Sequence, residues 1–302
     1  MTRHLSVPEA TALAHSMVAT LASASGIRTL SIKGPVADHY RFRAPRIAAD
    51  ADILVEPRGF GLLCSLLEAR GWHQRVGRAT PSLLPQHSLT YVHAEWPCDL
   101  DLHCAFPGFF GRPDATFEAL WSGRSTLSIG NRDVSVPSRT SAALIGVLHA
   151  LRTAGSRRHE TEMAAIAQIA LTQFSDAERG ELWRLAKAGG ATWTAEDLLL
   201  QLGFSASASD ATEHDKRMWT LHRTYIGDGS TVSWWEELRS APWNVKPALL
   251  VRALWVPRAD IPRNDPKRIP SRAEARSYRI RRWIRGGRAM MVYASRRGER
   301  RG

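Results

Sequence analysis

Two carboxylates one residue apart, Asp50 and Asp52, stand in the run Arg46-Ile-Ala-Ala-Asp50-Ala51-Asp52-Ile-Leu-Val55. On a strand, side chains alternate between faces, so both acids project to the same side. The apolar Ile53-Leu54-Val55 that follows predicts a buried strand and hence a rigid mount for the pair. Adjacent carboxylates repel unless positive charge lies between them. Mg²⁺ is commonly held by one or two carboxylates together with substrate phosphate oxygens, so the pair points to phosphate chemistry.

A second acidic strand strengthens that reading. In Asp99-Leu-Asp101-Leu-His103, the period of two places Asp99, Asp101 and His103 on one face and Leu100 and Leu102 on the other. Lys33-Gly34 ends an earlier strand, Arg28–Ile32, and a glycine there lets backbone approach a phosphate closely. If these strands are neighbours, a glycine turn and three carboxylates converge. Such a site suits in-line nucleotidyl transfer from an NTP, with Asp101 as metal ligand or as base for the acceptor hydroxyl. Arg41, Arg43 and Arg46 lie just upstream of the pair and can neutralise phosphate. His87, His93, His103, Cys98 and Cys104 show neither CxxC nor HxxxH spacing, which argues against zinc.

The elements that must position these groups follow from periodicity. A helix is expected from about Ala10 to Gly26, then the Arg28–Ile32 strand, a short helix after Pro35, and the Asp50–Val55 strand. A helix over Phe60–Ala69 and strands over Ser88–His93 and Asp99–His103 come next. Ser125–Ile129 and Asp133–Val136 flank Gly130-Asn131, a hairpin signal. Beyond Pro137 the pattern turns helical, over Ser138–Thr153 and Thr161–Gln173. Ser175–Glu178, Ser233–Glu236 and Ser271–Glu274 read as capping boxes, and Pro247 as a first-turn proline. The expected architecture is α+β: a mixed sheet flanked by helices over residues 1–136, then an all-helical acceptor-side domain over 137–302. Trp234, Trp235, Trp243 and Trp255 are expected to pack that second domain.

Composition sets the outer limits. At 302 residues the chain can bury a large core, and three cysteines do not make a disulfide framework, which favours a reducing cytoplasm. No run approaches the roughly twenty apolar residues of a membrane span, so no membrane partner is expected. Of the net charge of +12, the segment 263–302 carries +11, with fourteen basic residues against three acids. That basic tail is a solvated face by default, or a contact for RNA or an acidic partner.

The order strand–Lys33-Gly34, Arg46-x-x-x-Asp50-x-Asp52-Ile-Leu-Val, then Asp101-Leu-His103 resembles the bacterial uncharacterised nucleotidyltransferase family of the DNA polymerase β-like superfamily. The resemblance implies a nucleotidyltransferase fold. It also implies Asp50 and Asp52 as the two metal-binding acids, Asp101 as the third, and Lys33-Gly34 as the nucleotide-phosphate turn. Arg46 and His103 fall where that family has Arg and His, and His149 matches a histidine at the start of its helical region. Here Gly34 precedes Pro35, which removes one N–H donor from the turn. The implied reaction is Mg²⁺- or Mn²⁺-dependent transfer of an NMP from an NTP, ATP first among them, to an acceptor (small molecule, peptide or RNA), with release of pyrophosphate. Two alternatives remain open: an NTP-dependent, kinase-like phosphotransferase acting on a small molecule or peptide, and a toxin-like tRNA-modifying or non-catalytic RNA-binding protein.

Overall fold

The computed structural model describes residues 5–76, 86–153, 156–205, 211–228, 231–262 and 268–299. The chain forms two compact units, the first built from residues up to 74, 86–152 and 156–215, the second chiefly from 216 onward.

In the first unit, α1 (Val7–Ala24) opens with a reciprocal Ser6–Glu9 capping box. It is followed by β1 (Thr29–Ile32), α2 (Gly34–His39), β2 (Asp50–Val55), α3 (Phe60–Glu68), β3 (His73–Gln74), β4 (Ser88–Val92) and β5 (Asp99–His103). The sheet order is β1-β2-β5-β4-β3, and β2 and β5 run parallel while the other neighbours are antiparallel. Alternation divides the sheet. Ala51, Ile53, Val55, Leu100 and Leu102 face α1 and α3, where Val18, Leu63 and Leu67 complete a buried cluster. Leu30, Ile32 and Leu54 belong to the other core, as the register Leu30↔Leu54 and Ile32↔Asp52 requires. The acids share that second face.

After α4 (Pro113–Ser122) comes the two-stranded hairpin β6 (Ser125–Ile129) and β7 (Arg132–Val136). Gly130 and Asn131 both have positive φ (58° and 61°), the requirement of a type I′ turn. Any side chain at Gly130 would also collide with Ser16 on α1. Helices α5 (Arg139–Leu151), α6 (Arg157–Gln173), α7 (Asp176–Ala188) and α8 (Glu196–Gln201) follow. Gly146 lets α5 and α6 close together, since a Cβ there would lie 2.7 Å from Ile166 Cδ1.

The boundary expected at residue 137 marks a change of secondary structure and not a break in packing. One buried cluster runs from Leu30 and Ile32 through Leu144 and Leu148 to Leu185 and Leu202, so α5–α8 share their core with the sheet. The division between compact units falls after Asp215 instead.

The second unit holds most of α9 (Glu213–Asp228), with α10 (Thr231–Ser240), α11 (Lys246–Leu254) and α12 (Arg272–Glu299). The Ser175 and Ser271 capping boxes form as expected. Ser233 does not cap: it is the third residue of α10 and fully buried, because the helix begins earlier. Of the four tryptophans expected to pack this region only Trp234 is buried, while Trp235, Trp243 and Trp255 are exposed. Parts of the basic tail, 263–267 and 300–302, lie outside the described residues, as does Met1–His4. Among the described residues no helix is long and apolar enough to cross a membrane.

Candidate active site

Parallel pairing of β2 with β5 sets Asp50 beside Asp99, Asp52 beside Asp101 and Leu54 beside His103. The acids foreseen on two separate strands are therefore register partners on one face. Asp52 is the buried centre. Lys33 Nζ donates to its Oδ1 at 2.5 Å, and His103 Nε2 lies 3.0 Å from the same oxygen. Asp101 Oδ1 accepts from Thr90 Oγ1 on β4 at 2.6 Å. One ligand atom each from Asp52, Asp101 and His103 lie within 4.8 Å of one another, close enough to share a metal ion. Asp50 stands outside that trio, two residues back along the strand.

Electrostatics separates the carboxylates. Burial alone would push the Asp52 carboxyl up, yet Lys33 and the His103 hydrogen bond hold it well below the usual carboxylate range. Burial, then the charge of Lys33, lowers the pKa of His103 and keeps the ring neutral, so Nε2–H donates to Asp52 and Nδ1 is left bare. That Nδ1 is buried and has no partner among the described residues. Asp50 is pushed up to about 6, first by burial and then by the charges of Asp52 and Asp101.

Lys33 reaches Asp52 from a backbone that L-residues seldom adopt, φ 58° and ψ −136°. Such a conformation costs on the order of 1–3 kcal/mol and persists where the surroundings enforce it. Pro35 supplies no N–H, and Val36 N–H is spent on the Lys33 carbonyl.

A cavity of about 340 Å³ opens beside the pair. Asp50, Asp52, Lys33 and Gly34 line it with Arg43 and Arg46, while α5 contributes Ala142, Ile145, Gly146 and His149. Helix α6 contributes Arg158, Glu162 and Ile166. Both helices present their residues at three- and four-residue spacing, one stripe each. Arg43 is 6% exposed; its Nη2 donates to the Gly34 carbonyl at 3.1 Å and pairs with Asp38, while Nε and Nη1 have no partner among the described residues. Glu162 accepts from Arg46 Nη1 (2.6 Å) and Arg158 Nε (3.1 Å). His149 is pushed down to about 3 by burial and by the charges of Lys33 and Arg152. Arg152, half-buried just past the end of α5, feels the charges of Asp52 and Asp101.

The structure therefore gathers Lys33, Gly34, Arg46, Asp50 and Asp52 around one cavity, with Asp101 and His103 beside Asp52 but not in its lining. Arg152, Arg158 and Glu162 were not foreseen. The i,i+4 spacing of Arg158, Glu162 and Ile166 was the one signal, and it reads equally as a solvated helix face.

The model of the uncharacterised nucleotidyltransferase family matches residues 10–202. The chain belongs to that family. This nucleotidyltransferase is accordingly an enzyme of nucleotidyl transfer. No curated protein gives a significant match. Among solved structures it is similar to the antibiotic-resistance factor ANT(2'')-Ia in solution, at 15% identity over 63% of this chain and 95% of that one, TM-score 0.40. An antigenic nucleotidyltransferase-like protein from Paracoccidioides brasiliensis is 16% identical over 69% and 99%, TM-score 0.37. The lincosamide antibiotic adenylyltransferase LnuA, lincomycin-bound, is 16% identical over 55% and 99%, TM-score 0.36.

Proposed function

We propose that this nucleotidyltransferase moves an NMP from an NTP, ATP first among them, to an acceptor hydroxyl and releases pyrophosphate. The observation that carries the reading is the register pairing of Asp52 with Asp101 beside a cavity lined by Lys33, Arg43, Arg46 and Arg158. Carboxylates on one side and a half-partnered buried guanidinium on the other are what a metal-bridged triphosphate needs.

Two features suit Asp50, Asp52 and Asp101 to a divalent cation such as Mg²⁺ or Mn²⁺. They are oxygen donors, and Asp50, raised first by burial, is raised further by the charges of Asp52 and Asp101, a repulsion that a cation would relieve. Such an ion would supply charge neutralisation at the α-phosphate and the leaving pyrophosphate. The protein's own groups divide the remaining work. Arg43 offers Nε and Nη1 to phosphate oxygens, and Lys33 and Gly34 border the same space. Arg46 and Arg158 border the cavity while paired with Glu162, which a phosphate would displace from them. His103 donates to Asp52 and fixes its rotamer. Asp101, held by Thr90, would accept the acceptor's proton. The apolar stripe of α5 and α6 shapes the acceptor side. Acceptor and nucleotide are tested together by offering each NTP labelled at the α- or γ-phosphate to small metabolites, peptides and RNA. Label from the α position on the acceptor, with labelled pyrophosphate from the γ position, supports the reading; NDP formation identifies a kinase instead.

A further inference from the structure

Twelve of the seventeen large hydrophobic residues exposed among the described residues lie in the second unit, which is about a third of the chain. They are not scattered. On α12, Ile280, Trp283, Ile284 and Met291 recur at helical spacing along one outward stripe and are 41–72% exposed. Gly287 falls on the same stripe, and an added Cβ there would meet nothing within 4 Å. The opposite side of the helix, through Ala275, Tyr278, Gly286 and Ala289, is buried or half-buried.

Helix α11 continues the exposed surface. Trp283 Nε1 donates to the Leu254 carbonyl at 2.9 Å, and Arg279 lies 3.9 Å over the ring of Trp255. Leu250, Val251, Leu254 and Trp255 are all exposed. Arg279 and Arg282 donate back to the Val256 and Ala253 carbonyls and pin the two helices together. Arg276, Arg281, Arg285 and Arg288 remain exposed around the stripe. From 272 to 291 the helix carries seven arginines against one acid, Glu274.

We propose that this face of α11 and α12 rests on the surface of an anionic lipid bilayer. An apolar stripe bearing Trp, flanked by arginines, is the make-up of helices that lie in the membrane interface plane. Arginine stems reach from such a position to anionic headgroups, and the attraction fades within a Debye length. RNA would use the arginines, but it gains nothing from Ile280, Ile284 and Met291, and Arg279 already covers the Trp255 ring. The contact is peripheral and needs no spanning helix.

The test is sedimentation of the full-length protein with vesicles of phosphatidylcholine alone or mixed with phosphatidylglycerol. Binding is expected to the mixed vesicles only and should weaken as salt rises. Ile280→Asp/Ile284→Asp should weaken it by tenfold or more, with far-UV circular dichroism unchanged. Gly287→Leu should strengthen it by about tenfold, because it adds buried apolar surface to an open position. The proposal is overturned if the mixed vesicles do not bind, or if neither variant changes binding. It is equally overturned if the face proves to hold another occupant. Single-stranded RNA bound in place of vesicles would be one such result, and a dimer dispersed by Ile280→Asp/Ile284→Asp in sedimentation velocity would be another.

Discussion

Replacing Arg43 by alanine isolates the phosphate side of the site. The guanidinium is almost wholly buried, spends Nη2 on the Gly34 carbonyl and Asp38, and keeps Nε and Nη1 without partners among the described residues. Each charge-assisted hydrogen bond to phosphate is worth about 1.5 kcal/mol at the lower end, so two donors give about 3 kcal/mol. At 1.4 kcal/mol per decade this corresponds to about a hundredfold weaker nucleotide binding. Arg43→Lys keeps the charge but loses the fork, and should fall about midway on the logarithmic scale. Isothermal titration with an α,β-methylene NTP in the presence of Mg²⁺ reads the effect directly, and thermal unfolding of the same samples reports any loss of fold. Unchanged nucleotide affinity in a folded Arg43→Ala protein would refute the assignment of this arginine to the triphosphate.

Three further outcomes follow from the same geometry. Asp50→Asn should abolish transfer in the presence of Mg²⁺ and, measured separately in chelator, make the protein more stable at pH 8, because an acid raised to about 6 by burial and its neighbours is destabilising when ionised; the full shift corresponds to about 3 kcal/mol, and partial exposure reduces this to roughly 1–2, or several degrees in Tm, so a lower Tm would count against the crowded-acid account. His15 on α1 is bonded to Ser31 Oγ and pushed down to about 4, mainly by burial. Its neutral form stabilises the fold above the unfolded value of 6.5, and that stability drains as pH falls from 6.5 through 4, by up to about 3 kcal/mol; urea unfolding of wild type and His15→Gln at pH 7 and 4.5 should show the smaller decline in the variant. Glu162→Gln should raise nucleotide affinity a few-fold at low salt by releasing Arg46 and Arg158, whereas weaker binding would make Glu162 a scaffold for those arginines.

The local rules that the sequence does carry are those of period and punctuation. Alternation placed Asp50 with Asp52 and Asp101 with His103 on common faces, and Gly130-Asn131 marked the hairpin, because both signals act between near neighbours. Parallel pairing of β2 with β5 is a contact across about fifty residues, and nothing local encodes its register. Helix α4 is not predicted although Pro113 opens it, Gly123 ends it and Phe117, Leu120 and Trp121 keep helical spacing, since that spacing covers little more than one turn. The helical stretch after Pro137 reads as a separate domain because the hydrophobic period changes there, whereas the shared burial of Leu30, Leu144 and Leu202 exists only in three dimensions. The acids were legible for the opposite reason: the strand presents them together, whatever pairs beside it.

The most direct measurement compares wild type with Asp101→Asn using ATP labelled at the α-phosphate, scored for label transferred to an acceptor and for pyrophosphate released. Wild type should transfer α label and release one pyrophosphate per transfer, and Asp101→Asn should lose at least a thousandfold of that rate, about 4 kcal/mol of transition-state stabilisation, with its unfolding curve little changed. Undiminished transfer by Asp101→Asn, or γ label on the acceptor with ADP as product, would contradict nucleotidyl transfer by the paired acids of β2 and β5.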